Sequence, residues 1–295
     1  MYFGWSLVIG LIVFTRNSLK KQDSARITKH QALSTKVSGA MTDQPLSFQI
    51  LRFDSLTSTN LEAAKRAGDG APEGLIVVAD EQTAGRGRLG RHWASPKGAG
   101  LYFSIVLRPQ IELAAWPLIT FVAAVAVHDA LLQYCGLATD VKWPNDIMAN
   151  DRKLCGILAE TVEARVGGPV VLGIGLNLAS ASFPPELRET ATALESLTGE
   201  MPDRELVLEA ILMAFQRRYA MLLSPGGCRR VIDAWSKRSS YATGKRIRVK
   251  NEHESLEGIS RGLESDGALR VETDSGEIRI VRAGDITMVR PMDNR

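Results

Sequence analysis

The feature that most constrains the fold is a loop-forming stretch in which glycine and arginine alternate. Residues 82–91 read QTAGRGRLGR, and the residues that set its character are Gly85, Arg86, Gly87, Arg88, Gly90 and Arg91. Glycine lets the backbone approach a ligand closely because it has no Cβ. Arginine carries a permanent charge and a planar fork of donors that matches carboxylate and phosphate oxygens. The stretch therefore predicts a loop that folds over an anion, and a solvated basic turn is the alternative.

This loop differs from the common phosphate-binding loops. The Gly-x-x-x-x-Gly-Lys-Ser/Thr pattern is absent from the sequence, which excludes a P-loop. The glycines do have the Gly-x-Gly-x-x-Gly spacing of a dinucleotide site, but that motif requires a helix to begin at the third glycine. Here the chain continues through residues 92–100 as HWASPKGAG, which is typical of further loop. We therefore do not expect a dinucleotide-binding fold.

Composition is that of a globular protein with a full core. The chain has 295 residues, of which 45% are apolar and 23% charged. Its net charge of +3 comes from the start of the chain, because residues 1–40 carry +5 and leave −2 for the remainder. An acidic body argues against a nucleic-acid-binding surface. Cys135, Cys155 and Cys228 form no Cys-x-x-Cys motif, which predicts a reducing, cytoplasmic location without structural zinc.

The first 47 residues are expected to form an N-terminal extension, of which residues 1–40 lie outside the fold. Residues 2–14 are apolar, but as a helix they would span only about 20 Å, less than the ~30 Å hydrocarbon core of a membrane. The basic residues follow the apolar run, whereas a signal peptide carries them before it. Three interpretations remain: a weak membrane anchor, an organelle-type extension, or a start assigned upstream of Met41. We favour the third.

Residues 48–240 are predicted to form one mixed α/β domain. A Thr59-x-x-Glu62 capping box predicts a helix over Asn60–Ala67. Hydrophobic periodicity predicts further helices over Ala114–Tyr134, Glu205–Leu222 and Val231–Trp235, the first of them a core helix and not a membrane span. Predicted strands are Leu75–Ala79, Leu101–Leu107, Val141–Trp143, Gly156–Val162 and Val170–Leu176.

Residues 241–295 change to a period of two and predict a small β-barrel domain. The Asp266-Gly267 pair is a strong hairpin signal between two strands. The five predicted strands are Arg246–Lys250, Ser255–Ile259, Ala268–Glu272, Glu277–Val281 and Asp285–Val289.

Four ordered motifs give the chain a family resemblance. The first is the glycine–arginine loop, and the others are TSTN at residues 57–60, VKWPND at 141–146, which is followed by Lys153 in DRKLCG at 151–156, and GIGLN at 173–177. With these motifs the chain resembles the biotin protein ligases over about residues 48–292. The resemblance implies a mixed-sheet catalytic domain of the biotin/lipoate ligase type and an SH3-like C-terminal domain. It also implies the type of ligase that lacks a DNA-binding domain.

The resemblance implies a reaction and its substrates. Family members use ATP, with Mg²⁺, to activate biotin as biotinyl-5′-AMP. They then transfer the biotinyl group to a lysine of the biotin carboxyl carrier domain of acetyl-CoA carboxylase or a related carboxylase. Activation is needed because a carboxylate reacts with an amine only when one of its oxygens has been converted into a leaving group. The resemblance leaves a homodimer open.

Site residues follow from matching the motifs position by position. The resemblance assigns catalysis to Lys153, Arg88 and Arg91. It assigns biotin binding to Ser58, Thr59, Asn60, Gln82, Gly85, Arg86, Gly87, Arg88, Lys153 and Gly156. It assigns ATP binding to Arg88, Arg91, Trp93, Asn145, Asp146 and Asn177. For Trp93 a core aromatic is the alternative, and Asn145 with Asp146 either bind Mg²⁺ through phosphate or close a turn. The sequence identifies no dedicated metal ligands.

Two other functions stay open. A lipoate or octanoate ligase is the nearest enzyme, and a biotin-responsive transcriptional repressor is the main non-enzyme alternative. We expect no nucleic-acid binding, because about 47 residues before the catalytic region are too few for a winged helix. We also expect the glycine–arginine loop to be mobile without ligand, because its arginines should find few partners.

Overall fold

The computed structural model describes residues 10–11, 26–28, 46–180, 183–250, 255–283 and 288–291. Most of the N-terminal segment, on whose nature the sequence left three interpretations, lies outside these residues. So do residues 285–287 of the last predicted strand.

A nine-stranded mixed sheet forms the centre of the molecule. Its strands are β1 Gly10–Leu11, β2 Arg26–Thr28, β3 Gln49–Phe53, β4 Leu75–Ala79, β5 Gly100–Leu107, β6 Asp140–Lys142, β7 Asp146–Ala149, β8 Arg152–Thr161 and β9 Val170–Asn177. Their order is β2-β3-β4-β5-β9-β8-β7-β6, and β1 pairs with the far end of β8. The β3–β4 and β1–β8 pairs are parallel and the others are antiparallel. This is the mixed α/β architecture that the sequence predicted.

Helices cover both faces of this sheet. They are α1 Thr59–Gly68, α2 Leu118–Cys135, α3 Leu194–Thr198, α4 Arg204–Leu223 and α5 Gly227–Ser236. The alanines of α1 pack on one face against β3, β4, β5 and β9. On the other face α2 packs beneath α4 and α5. In the described part of the chain one helical stretch, Leu113–Cys135, is long and apolar enough to cross a membrane, and 67% of its apolar 18-residue window is buried within the protein. Its packing is that of the predicted core helix.

The second sheet is fully antiparallel and shares a hydrophobic core with α2. Its strands are β10 Thr243–Lys250, β11 Ser255–Leu263, β12 Leu269–Glu272, β13 Ile278–Val281 and β14 Met288–Pro291, in the order β13-β12-β11-β10-β14. Its inward side chains belong to the same core cluster as α2. The indole N–H of Trp143 donates to the Gly267 carbonyl at 3.0 Å, in the hairpin turn predicted from Asp266-Gly267. This bond ties the smaller sheet to the strand end that carries the VKWPND motif.

The structure corrects the start of two helices. The predicted Thr59–Glu62 capping box is wrong, because α1 begins at Thr59 itself and Ser58, at the N-cap, makes no side-chain capping bond. Pro117 precedes α2, so that helix begins at Leu118 and the preceding apolar residues form only a short 3₁₀ turn. Strands β1, β2, β3 and β7 and the one-turn helix α3 were not predicted. All five are at most five residues long, which gives periodicity little to act on. Strands β1 and β2 pair with β8 and β3, although residues 1–40 are expected from the sequence to lie outside the fold.

One ion-pair cluster between helices yields a stability prediction. Asp129 on α2 accepts bonds from Arg218 at 2.6 Å and Arg238 at 2.7 Å, and the three side chains are 19–24% exposed. We expect Asp129→Ala to lower the free energy of unfolding by about 2–3 kcal/mol, because two half-buried guanidinium groups lose their shared partner. Urea unfolding measures this change.

The matched control is Asp233→Ala. Asp233 pairs with Arg229 at 4.0 Å, and both side chains are exposed. Its loss should change the free energy of unfolding by less than about 0.5 kcal/mol. Equal effects of the two substitutions would contradict the account of the Asp129 cluster.

Candidate active site

A cavity of about 210 Å³ lies on the central sheet, between the start of α1 and the glycine–arginine loop. Its floor is formed by two cross-strand pairs of β8 and β9, Gly156 opposite Gly175 and Leu158 opposite Gly173. Because side chains alternate along a strand, Gly156, Leu158 and Glu160 share one face of β8. The three floor glycines leave this part of the sheet flat, so other side chains lie directly on the backbone.

Trp93 occupies the flat part of the floor. A Cβ atom at Gly175 would lie 2.5 Å from the indole Nε1, and one at Gly156 would lie 2.8 Å from Cζ3. The Nζ atom of Lys153 lies 5.2 Å from the ring centroid, within cation–π range. Trp93 lines this cavity and also a neighbouring one, so its ring separates two spaces. Gly156 is therefore needed so that Trp93 can pack on the sheet, a role that the sequence did not reveal.

One end of the cavity is polar. The Oε1 atom of Gln82 accepts from the Thr59 backbone N–H at 2.8 Å, and its Nε2 donates to Ser95 at 2.8 Å. The Thr59 hydroxyl lies 3.1 Å from the same Gln82 oxygen and 2.8 Å from the hydroxyl of Ser104. Ser58 lines the cavity beside them. Gln82 is thus held rigidly and retains one amide N–H for a ligand.

An ion pair with one buried partner closes the same end. The Nη2 atom of Arg86, whose side chain is 38% exposed, lies 3.1 Å from Oε1 of Glu160, whose side chain is only 4% exposed. Asn60 donates to the other carboxylate oxygen at 2.8 Å. The sequence pointed to Arg86 and Asn60 but gave no signal for Glu160, which lies far along the chain from both.

The opposite end is cationic. Of the residues that line the cavity, Arg88, Arg91, Lys142 and Lys153 are cations and Asp146 is an anion. The Nζ atom of Lys153 is 2.5 Å from Oδ1 of Asp146. Burial is the main cause of a lowered pKa for Arg88, opposed by Asp146 and assisted by Arg91. A guanidinium keeps its proton despite such a shift, so this end presents permanent charge to an anion.

Two predicted ATP ligands have their amide groups committed to the backbone. The Asn145 side chain donates to the Ile157 carbonyl, and its oxygen accepts from Arg88 at 3.4 Å. The Asn177 amide donates to the Thr192 carbonyl at 3.0 Å and lies 3.4 Å from the Lys153 carbonyl. These contacts fix the backbone on which Lys153 is carried.

A second cavity of about 560 Å³ adjoins the first beyond Trp93. The two share Arg91, His92, Trp93, Lys142, Asp146, Lys153 and Val289. The second reaches Asn177 and Tyr102, and burial raises the pKa of the Tyr102 hydroxyl. The sequence did not single out His92, Tyr102 or Val289. His92 alone had a signal, since it follows the glycine–arginine loop directly.

The site holds no ready-made metal cage. Among the described residues no three His, Cys, Asp or Glu side chains group together as metal ligands do. Asp146 and Asn145 supply a carboxylate and an amide oxygen at the cationic end. Mg²⁺ commonly binds through one or two carboxylates together with substrate phosphates. This donor set therefore fits a Mg²⁺ ion that arrives with a nucleotide and not one held by the protein alone.

The loop has more partners than the sequence led us to expect. Arg86 pairs with Glu160, and Arg88 donates to the carbonyl of Ala283 in the smaller domain. The loop also bonds to itself, from the Trp93 N–H to the Gly85 carbonyl at 2.9 Å. A Cβ at Gly85 would lie 2.3 Å from the Trp93 carbonyl, so Gly85 is needed for this close packing. The stated reason for loop mobility, a lack of arginine partners, is therefore wrong.

Family models and known proteins match the chain over this whole region. The Biotin/lipoate A/B protein ligase family matches residues 50–177, and the Biotin protein ligase C terminal domain matches residues 243–289. The bifunctional ligase/repressor BirA of Bacillus subtilis is 39% identical over 81% of this chain and 74% of its own length. The biotin–[acetyl-CoA-carboxylase] ligase of Paracoccus denitrificans is 37% identical over 78% of this chain and 96% of its own length.

A solved structure agrees. The biotin protein ligase of Aquifex aeolicus, in complex with biotin and ATP, aligns with a TM-score of 0.73 and 27% identity, over 82% of this chain and 99% of that one. Fold and cavity thus define an enzyme of the biotin and lipoate protein ligase class. Within that class, the chain belongs to the biotin protein ligase family.

Proposed function

We propose that this enzyme activates biotin with ATP as biotinyl-5′-AMP and transfers it to a lysine of a biotin carrier domain. The observation that carries the proposal is the division of the cavity into a neutral polar end and a cationic end. Biotin has the same division, a neutral cyclic urea joined by an alkyl chain to a carboxylate. Residues 48–240 would form the catalytic domain and residues 241–295 the smaller domain.

The polar end is proposed to bind the urea. A buried urea must pair one carbonyl and two N–H groups, since each unpaired group costs about 1–3 kcal/mol. Ser58, Gln82 and the exposed side of Arg86 offer both donors and acceptors there. Thr59 supports this end through its contacts with Gln82, and Gly85, Gly87 and Gly156 line or shape the pocket.

The cationic end is proposed to bring the carboxylate and ATP together. A biotin carboxylate oxygen attacks the α-phosphorus, a P–O bond forms, and pyrophosphate leaves. Charge builds on the phosphate in the transition state, and preorganised cations stabilise it. Lys153, Arg88 and Arg91 would supply these cations. The second cavity, reached past Trp93 and bounded by Asn177, is the proposed place of the nucleoside.

Transfer completes the reaction. The neutral amine of a carrier lysine attacks the acyl carbon, the C–O bond to phosphate breaks, and AMP leaves as the amide forms and the amine releases a proton. The name of the Paracoccus denitrificans relative supports the carrier domain of acetyl-CoA carboxylase, or a related carboxylase, as the partner.

Mg²⁺ bound to ATP would neutralise phosphate charge, next to Asp146 and Asn145. The free cysteines support a cytoplasmic location.

Biotin-dependent exchange of pyrophosphate into ATP tests the first half of the reaction. We expect exchange with biotin and little with lipoate or octanoate, because neither has a urea to pair with the polar end. Exchange driven by lipoate but not by biotin would favour the lipoate ligase alternative. The carrier domain is absent from this assay, so a wrong partner does not affect it.

The name ligase/repressor of the Bacillus subtilis relative keeps the repressor alternative in view. We propose that this chain has no such role, because residues 41–295 carry a net charge of −2. In a gel shift with genomic fragments at low salt, we expect no retained DNA at micromolar protein, with or without biotin and ATP. A shifted band that is competed by one fragment only would overturn this expectation.

A further inference from the structure

Glu160 is the least exposed charged group at the polar end of the cavity. Its residue exposure is 3%, and it lies on the floor strand β8 two positions beyond Leu158. One carboxylate oxygen contacts Arg86 at 3.1 Å and the other accepts from Asn60 at 2.8 Å. A buried carboxylate requires such partners, because an isolated charge is expensive to remove from water. None of the roles assigned above involves Glu160.

The surroundings fix the direction in which Asn60 points. Ser104, itself fully buried, donates to Oδ1 of Asn60 at 2.6 Å, which leaves the NH₂ group for Glu160. A Cβ at Gly173 would lie 2.1 Å from the same Oδ1, so this glycine makes the space for Asn60. Glu160 is therefore held in place by a rigid hydrogen-bond network, and it holds Arg86 in turn.

The ion pair also sets the charge of the polar end. Glu160 cancels the charge of Arg86. At the other end the lining residues include four cations and a single anion, Asp146. An uncharged polar group can bond to the remaining donors of Arg86 without disturbing the pair. A ligand carboxylate would have to compete with Glu160 for Arg86, and like charges that close repel strongly.

Stability alone does not explain the arrangement, because an ion pair between a buried carboxylate and a guanidinium that is 38% exposed contributes little to it. We propose that Glu160 is a positioning residue for Arg86 that makes the polar end select acids with a neutral head group and reject those with a second anionic group. This inference rests on the proposed function, since it assumes that biotin binds with its urea at this end.

The test uses Glu160→Gln, which keeps the shape and removes the charge. Glu163→Gln is the matched control, because Glu163 follows on the same hairpin and pairs with Arg165 in solvent. Each protein is titrated with biotin, and then with two competitors that share one nine-carbon chain, nonanedioate and its monomethyl ester. The quantities compared are the biotin Kd, the KM values for biotin and ATP, and the ratio of the two inhibition constants.

We expect the wild type and Glu163→Gln to bind the ester more tightly than the diacid. In Glu160→Gln the ratio of the two inhibition constants should change by about tenfold or more in favour of the diacid. The KM for biotin should rise, whereas the KM for ATP should stay within about twofold of the wild-type value. An unchanged ratio of inhibition constants would overturn the inference. Wild type that fails to bind biotin would contradict the proposed function instead.

A second variant keeps the test informative if Glu160→Gln does not fold. The double variant Arg86→Gln with Glu160→Gln removes both charges and leaves no buried ion unpaired. If Glu160 acts through Arg86, the double variant should bind biotin no more weakly than Arg86→Gln alone, and it should unfold at higher urea. Additive losses of biotin affinity would show that the two residues act independently, against the inference.

Discussion

Replacing Lys153 with alanine should slow adenylate formation by about 30- to 1000-fold, the loss of a transition-state contact worth ~2–4 kcal/mol. The ammonium group lies at the cationic end of the cavity, 2.5 Å from Asp146 and above the face of Trp93. Its removal leaves the Asp146 carboxylate without its partner next to the proposed phosphate position, where it would repel the charge that develops in the reaction. Biotin-dependent pyrophosphate exchange measures the rate.

Arg152→Ala is the control for this substitution. Arg152 precedes Lys153 on β8, carries the same charge and lines neither of the two cavities. Arg152→Ala should retain an exchange rate within about threefold of the wild type, and the free energy of unfolding of both variants should lie within about 1 kcal/mol of the wild-type value.

Adding Asp146→Asn to Lys153→Ala should restore part of the rate, because the uncompensated carboxylate is gone. Near-wild-type exchange by Lys153→Ala would show that its catalytic assignment is wrong.

Gly175→Ala should weaken binding of both biotin and ATP by about tenfold or more, without unfolding the protein. Its Cβ would lie 2.5 Å from Nε1 and 2.7 Å from Cε2 of Trp93, closer than real Cβ contacts allow. The indole must therefore move away from the sheet, and forced repacking of this kind costs roughly 1–3 kcal/mol. Trp93 borders both cavities, so its displacement alters the two sites together.

Gly68→Ala is the matched glycine control. An added Cβ there meets nothing within 4 Å, so binding should be unchanged. Combining Gly175→Ala with Trp93→Phe should recover part of the lost affinity, because the smaller ring leaves room for the methyl group. Isothermal titration with each ligand gives the affinities. Tight binding by Gly175→Ala would mean that the position of Trp93 does not control the cavities.

Regular elements were predictable where one local pattern dominated. Strand β4 was predicted to the residue, because Leu75–Ala79 is a short apolar run bounded by turn residues. In the smaller sheet the period of two and the Asp266-Gly267 turn located the hairpins. The predicted capping box was wrong because the Thr59 side chain lies against Gln82 and Ser104, both of which are far from Thr59 in the sequence. Local propensity could not anticipate those tertiary contacts.

The site residues likewise divide into those that a local sequence pattern identified and those that only tertiary structure revealed. The glycine–arginine loop and Lys153 were identified from the sequence and do line one cavity. Glu160 was missed because an isolated glutamate in a strand carries no local signal. Only the pairing of β8 with β9 and the position of α1 bring it to Arg86 and Asn60. The need for glycine beneath Trp93 was equally hidden, since Gly156 and Gly175 become neighbours only through sheet register.

The central claim is tested most directly by the intact mass of a carrier domain. The protein is incubated with ATP, Mg²⁺, biotin and the biotin carrier domain of an acetyl-CoA carboxylase, and the carrier is weighed by mass spectrometry. The account predicts a gain of one biotinyl group that requires ATP and disappears when the acceptor lysine of the carrier is replaced by arginine. No gain with biotin, or a gain with lipoate in its place, would contradict it.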